Sequence, residues 1–161
     1  MRDEAERIVY EESLRTLAQQ KEVFDGLRAR AGTLLGAVSI ATAFLSSQAL
    51  ERPDLDALAW SAIVLFCLVV ALTLAILVPI PWASTFAHHP HLLIGIHLES
   101  EQPSPDWKPS TPSEIYRNLS YWNGVHYNQN GRKLALMSAL FTVACLALAA
   151  EIVIWLILLA R

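Results

Sequence analysis

Twenty-four consecutive residues, Ala57 to Ile80 (ALAWSAIVLFCLVVALTLAILVPI), contain no ionisable side chain except Cys67 and are rich in Leu, Val and Ile. A helix rises about 1.5 Å per residue, so roughly 20 such residues match the ~30 Å hydrocarbon core of a bilayer. A stretch that apolar on all sides leaves a water-soluble domain of this size little to cover it. The expectation is a membrane-spanning helix.

Composition supports this once its distribution is considered. Hydrophobic residues make up 54% of the 161 positions and charged ones 17%, and the two are segregated along the chain. Leu134 to Ala160 forms a second long apolar stretch, interrupted by Glu151 alone. Gly32 to Leu50 (GTLLGAVSIATAFLSSQAL) forms a third, uncharged but carrying Thr33, Ser39, Thr42, Ser46, Ser47 and Gln48. This window would insert marginally by itself. It has no charged face, and the turn Glu51, Arg52, Pro53, Asp54 leads straight into Ala57 to Ile80, so these two are expected to form a hairpin. Leu134 to Ala160 contains neither Pro nor Gly, which favours one crossing over a re-entrant hairpin. No cleavable signal peptide is expected, because a charge-dense segment of about thirty residues precedes the first apolar stretch. Cys67 and Cys145 fall inside apolar stretches, where cysteine is ordinary filler.

Orientation follows from Lys and Arg, which are retained on the cytoplasmic side. With the N-terminus inside, ten of the twelve basic residues are cytoplasmic, and only Arg52 and Arg161 are outside. Arg28, Arg30, Arg132 and Lys133 then mark the inner boundary. Trp60 and Trp155 are placed toward the outer interface and Trp82 at the inner one. The fold class expected is all-α: an integral membrane protein with three transmembrane helices, N-terminus in and C-terminus out, plus cytoplasmic amphipathic helices. Its parts are a cytoplasmic helix (1–31), a transmembrane hairpin (32–80, spans about 32–50 and 57–80), a cytoplasmic linker and helix (81–133) and a third span (134–160).

The cytoplasmic parts read as follows. Arg2 to Arg30 lacks Pro and is dense in Glu, Arg, Leu, Ala and Gln, good helix formers. Tyr10, Leu14, Leu17, Phe24 and Ala31 recur at spacings of three and four, with Lys21 and Arg28 in the same seam, so an amphipathic helix continuing into the first span is expected. It would pack on the second cytoplasmic segment or on another copy as a coiled coil. Gln102 to Pro112 (QPSPDWKPSTP) is an extended linker, and Ser113 followed by Glu114 to Leu136 reads as a capped helix leading into the last span, with N-cap candidates from Ser110 to Ser113 and Tyr116, Leu119, Trp122 and Tyr127 as apolar contacts. Asn118, Leu119 and Ser120 form a glycosylation triplet that a cytoplasmic helix would not use.

Two intramembrane features are candidates for function. Gly32, Gly36, Ser39, Ala43 and Ser46 repeat at spacings of four and three, a small face on which helices approach closely, either within one chain, between subunits or along a wet pathway. Glu151 is the one carboxylate well inside a span, where a charge costs at least ~2.5 kcal/mol on insertion scales. It should face the bundle, a partner or water, sit protonated, or snorkel to the outer interface. His88, His89, His91 and His97 cluster after the second span, but their spacing fits no zinc pattern, and an interfacial polar segment is the simpler account. No nucleophile with a positioned base, no phosphate-binding Gly-rich loop and no basic stripe for nucleic acid is visible, and net charge is only −3. Neither an enzyme nor a cofactor is expected.

The string LRARAGTLLGAVSIATAFL, Leu27 to Leu45, a charged helix running into a small-residue span, resembles the N-terminal region of small bacterial membrane effectors of nucleotide-signalled phage defence. The named group is the transmembrane effectors of Pycsar systems and the related SLATT-type effectors; the chain is also similar to uncharacterised actinobacterial membrane proteins. The resemblance covers about a quarter of the chain. It implies a cytoplasmic helical part responding to a cyclic nucleotide or a sensor protein, and spans that assemble as a homo-oligomer and breach the inner membrane. The segment YWNGVHYNQNGRKLALMSALF has no counterpart matched residue by residue, and no nucleotide-binding residue carries over. The competing expectation is a non-enzymatic anchor or scaffold that recruits a cytoplasmic partner.

Overall fold

A computed structural model describes residues 2–49, 57–78 and 111–160. The turn Glu51 to Asp54, Trp82, the histidines 88 to 97 and nearly all of the linker 102–112 lie outside them. The described chain is all helix: α1 (Arg2–Ala49), α2 (Ala57–Leu77) and α3 (Pro112–Ala160). Each contains a stretch long and apolar enough to cross a membrane. α1 has 48 residues and α3 has 49, each more than twice the roughly 20 that a hydrocarbon core requires. α3 is unbroken throughout, which removes the hairpin alternative for its apolar part.

The start of α3 shows why the chain turns helical there. Thr111 is the N-cap: its carbonyl accepts the first helical bond from the Ile115 N–H at 3.1 Å. The Glu114 N–H donates to Thr111 Oγ1 at 3.3 Å, and the Thr111 N–H donates to Glu114 Oε2 at 2.9 Å, forming a reciprocal capping box. Pro112 occupies the first helical position, where its missing N–H costs nothing. The cap thus falls within the expected window Ser110 to Ser113, while the hydroxyl of Ser113 itself donates to the Glu6 carboxylate. The backbone and then the hydroxyl of Thr111, with Arg117 nearby, hold the Glu114 carboxyl below the usual carboxylate range.

The chain divides into two compact units. In the first, residues 2–23 of α1 pair with residues 112–132 of α3. Tyr10 meets Tyr116 (ring centroids 5.6 Å apart), Asn123 Nδ2 donates to Ser13 Oγ at 2.8 Å, and Gln20 Nε2 donates to the Tyr127 carbonyl at 3.0 Å. Residue numbers rise together on both helices, so the pair is parallel. Its seam follows a heptad, Tyr10, Ser13, Leu17 and Gln20 against Tyr116, Leu119, Asn123, His126 and Asn130. This corrects the expected register. Leu14 and Lys21 are exposed, while the polar Ser13 and Gln20 face the partner helix. Trp122 and Tyr127 are likewise exposed at 53% and 43%, not core contacts.

The second unit holds the rest of α1 and α3 with α2 between them in sequence. One core cluster joins Val38 of α1, Val69 of α2 and Ala144 and Ala147 of α3; the other joins Leu45 of α1, Ala59 and Ala62 of α2 and Trp155 and Leu158 of α3. Here too α1 and α3 run parallel, and α2 runs antiparallel to both. The heptad spacing recurs in this unit, through Phe24, Leu27, Ala31, Leu34, Val38 and Leu45 on α1, and Met137, Ala144, Glu151 and Leu158 on α3. On α2 the buried positions are Ala59, Ala62, Val69, Thr73 and Ile76. Alanines at these contacts bring backbones close, so van der Waals packing is dense with modest side-chain volume. α2 stops just ahead of Pro79, whose ring cannot continue the ladder.

Candidate functional site

The two candidates on the apolar stretches occupy opposite situations. Glu151 is buried, with 1% of its surface exposed. Its Oε1 accepts the Thr42 hydroxyl of α1 at 2.5 Å and the Trp155 indole N–H, one turn along α3, at 3.3 Å. Oε2 is buried without a hydrogen-bond partner. The carboxyl thus ties α1 to α3 inside the unit. Its side chain is turned into the helix bundle.

Trp155 is correspondingly an interior residue, 1% exposed, not an interfacial belt residue; Trp60, by contrast, is 56% exposed. Sequence reasoning missed both of the carboxyl's partners. The indole four residues after Glu151 was legible as an i,i+4 donor. Thr42 was not, because its pairing depends on the lateral register of two helices 109 positions apart.

The small face lies elsewhere on α1. Gly32, Gly36, Ser39 and Ala43 are all exposed, and Ser46 is half-buried. A Cβ built on Gly32 or Gly36 meets nothing within 4 Å. Packing within the chain therefore does not use this face; Ala31, Leu34, Val38 and Leu45 do that work. The hydroxyls of Thr33 and Ser39 donate to carbonyls of their own helix, at 3.1 and 2.9 Å, which leaves the face smooth and internally satisfied.

Polar seam residues of the first unit form a third group that sequence reasoning passed over. Gln20 and Asn123 are 6% and 1% exposed, and each uses its amide N–H while its carbonyl oxygen is buried without a donor. Asn130 is buried as well, at 2%. Among the described residues no group of three or more His, Cys, Asp and Glu side chains is placed to hold a metal. Cys67 and Cys145 are free thiols.

No family model matches this sequence, and comparison with curated proteins and with solved structures finds no match to either.

Proposed function

We propose that the protein is a multi-pass membrane protein whose α1 small face joins copies into a homo-oligomer, and that the oligomer acts as an effector permeabilising the bacterial inner membrane. The observation that carries this is the unoccupied face Gly32, Gly36, Ser39, Ala43, with open space where a side chain would stand. In hydrocarbon, close backbone approach along such a face is a main source of helix association.

Membrane residence is supported by what surrounds it. Ile40, Phe44, Val64, Leu146, Val153 and Leu156 are 53–74% exposed on the apolar stretches, a surface suited to lipid and costly in water. Parallel α1 and α3 with antiparallel α2 fit three crossings, and the distribution of basic residues supports a cytoplasmic N-terminus. The resemblance to phage-defence effectors adds the trigger, a cyclic nucleotide or a sensor protein.

Induced expression with a membrane-potential dye tests the reading. The wild-type protein, with its trigger, should collapse the potential, and Gly36→Leu should abolish the effect while the protein still inserts. Unchanged potential and growth with the wild-type protein, with and without cyclic nucleotides, overturns it.

One observation favours the anchor or scaffold reading. Tyr121 and Trp122, stacked edge to face at 5.8 Å, are 68% and 53% exposed on the first unit, an aromatic pair of the kind that anchors protein partners. Under that reading, Gly36→Leu leaves partner capture unchanged, while charge reversals on the first half of α1 abolish it.

A further inference from the structure

In the second unit α2 covers α3 along a side that carries Leu148 and Trp155. Four whole heptads before them stand Ser120 and Tyr127, the same register positions in the first unit. With Ser13, Thr16, Asn123 and Gly124 they line an open-mouthed cavity of about 180 Å³. Its accessible wall is mostly apolar: the hydroxyls of Ser13, Thr16 and Ser120 donate to carbonyls of their own helices, and no atom lies within 4 Å of a Cβ built on Gly124. Val9 and Val23, one heptad to either side of Thr16, continue this row of α1 and are 57% and 54% exposed. A cavity of ~150 Å³ holds a benzene ring, so this one has room for a branched aliphatic side chain. Chain connectivity says what passes along it. α2 runs antiparallel to α3 and ends at Leu77, toward the Lys133 end of the second unit, whereas α3 begins with Pro112, twenty-one residues before Lys133. The connecting chain therefore travels the length of the first unit, about 30 Å at the helical rise. Residues 79–110 suffice for this, since even at a helical rise they cover about 48 Å. Among them, residues 83–98 carry no Asp, Glu, Lys or Arg, and Leu92, Leu93, Ile94, Ile96 and Leu98 make an apolar run that water disfavours.

We propose that this groove is the docking site of the chain's own residues 92–98, one of whose branched side chains fills the cavity. Both ends of that segment are tethered to helices of the same chain, so docking is intramolecular, at an effective concentration of about millimolar that a second copy does not have. The inference is independent of the permeabilisation reading, which the following measurements do not touch. Full-length protein in lipid nanodiscs carries Cys67→Ala and Cys145→Ala as the background. Ile94→Cys with Thr16→Cys should cross-link through a short bis-maleimide within one chain, as read from peptide masses in a mixture of light and heavy isotope copies. The rate should be at least about tenfold that of Ile94→Cys with Lys21→Cys, an exposed position on the other side of the α1 seam. Alone, Thr16→Cys should react with a water-soluble maleimide about tenfold more slowly than Lys21→Cys, because the docked segment has to open first. Adding Leu93→Ser with Ile94→Ser should remove that difference; both changes lie outside the described helices, so the groove itself stays intact. Equal cross-linking of the two pairs, equal maleimide rates with the linker unaltered, or protection that survives Leu93→Ser with Ile94→Ser overturns the inference. Cross-links found only between chains overturn it too, in favour of a second copy in the groove.

Discussion

At the scale of single residues, the buried carboxyl of Glu151 decides most. One of its oxygens has two donors and the other has none, so removing a donor leaves the buried carboxyl less satisfied, and removing the carboxyl leaves the Thr42 and Trp155 donors without their acceptor. Thr42→Val should destabilise the second unit by about 1 kcal/mol, in the range found for interhelical hydrogen bonds in membranes. A double-mutant cycle of Thr42→Val with Glu151→Ala, read by unfolding in mixed micelles, should return a coupling of that size; additive effects would mean the contact contributes nothing. Glu151→Gln keeps an acceptor for Thr42 and Trp155 and should cost less than Glu151→Ala. Glu114 gives the pH-dependent counterpart. Its carboxyl is held low in the folded protein, chiefly by the Thr111 backbone N–H, so its contribution is complete above the unfolded value and is lost as pH falls through the lowered folded one. Amide exchange at the first turn of α3 should accelerate in acid in the wild type, and Glu114→Gln should flatten that response. Thr111→Ala should weaken the same turn by about 1 kcal/mol at neutral pH.

At the scale of elements, the heptads carry the argument, and they show why one register was legible and the other was not. Leu17, Phe24 and Ala31 belong to the seam under either reading, because they recur every seven residues. The intervening positions were ambiguous. Leu14 is apolar and Ser13 polar, so hydrophobicity pointed to Leu14, whereas Ser13 and Gln20 find a side-chain amide and a carbonyl on α3. Only the partner helix could show that. Gln20 is a test of what these polar layers do. The Tyr127 carbonyl it caps lies inside a helix, so Gln20→Leu strands no helical acceptor and should be neutral or stabilising by about 1 kcal/mol, as buried polar groups replaced by apolar ones often are. It should also loosen the register, as polar seam residues set it, seen as new cysteine cross-links one heptad out of step. Gly36→Leu belongs to the other face of α1. With nothing within 4 Å it should leave the protomer folded and lower its self-association in lipid, as counted by photobleaching steps in nanodiscs.

At the scale of the whole molecule, the orientation proposed from basic residues makes a direct prediction. In sealed cells Leu159→Cys should react with an impermeant maleimide and Arg7→Cys should not, and the opposite labelling would invert the topology. That three helices of this chain are long and apolar enough to span a bilayer was already determined by sequence, because uncharged runs of this length leave the backbone no alternative to helix in hydrocarbon. So was the continuity of charged helix into apolar helix, written in an absence of Pro from Arg2 to Ala49. Which side of each helix faces inward was decided only by tertiary structure. The small face of α1 and the seam of Ala31, Leu34, Val38, Thr42 and Leu45 interleave along residues 31–46, and composition cannot say which one meets α3. Packing chose the Thr42 side, since it alone brings a hydroxyl to the carboxyl of Glu151, and so left Gly32, Gly36, Ser39 and Ala43 uncovered.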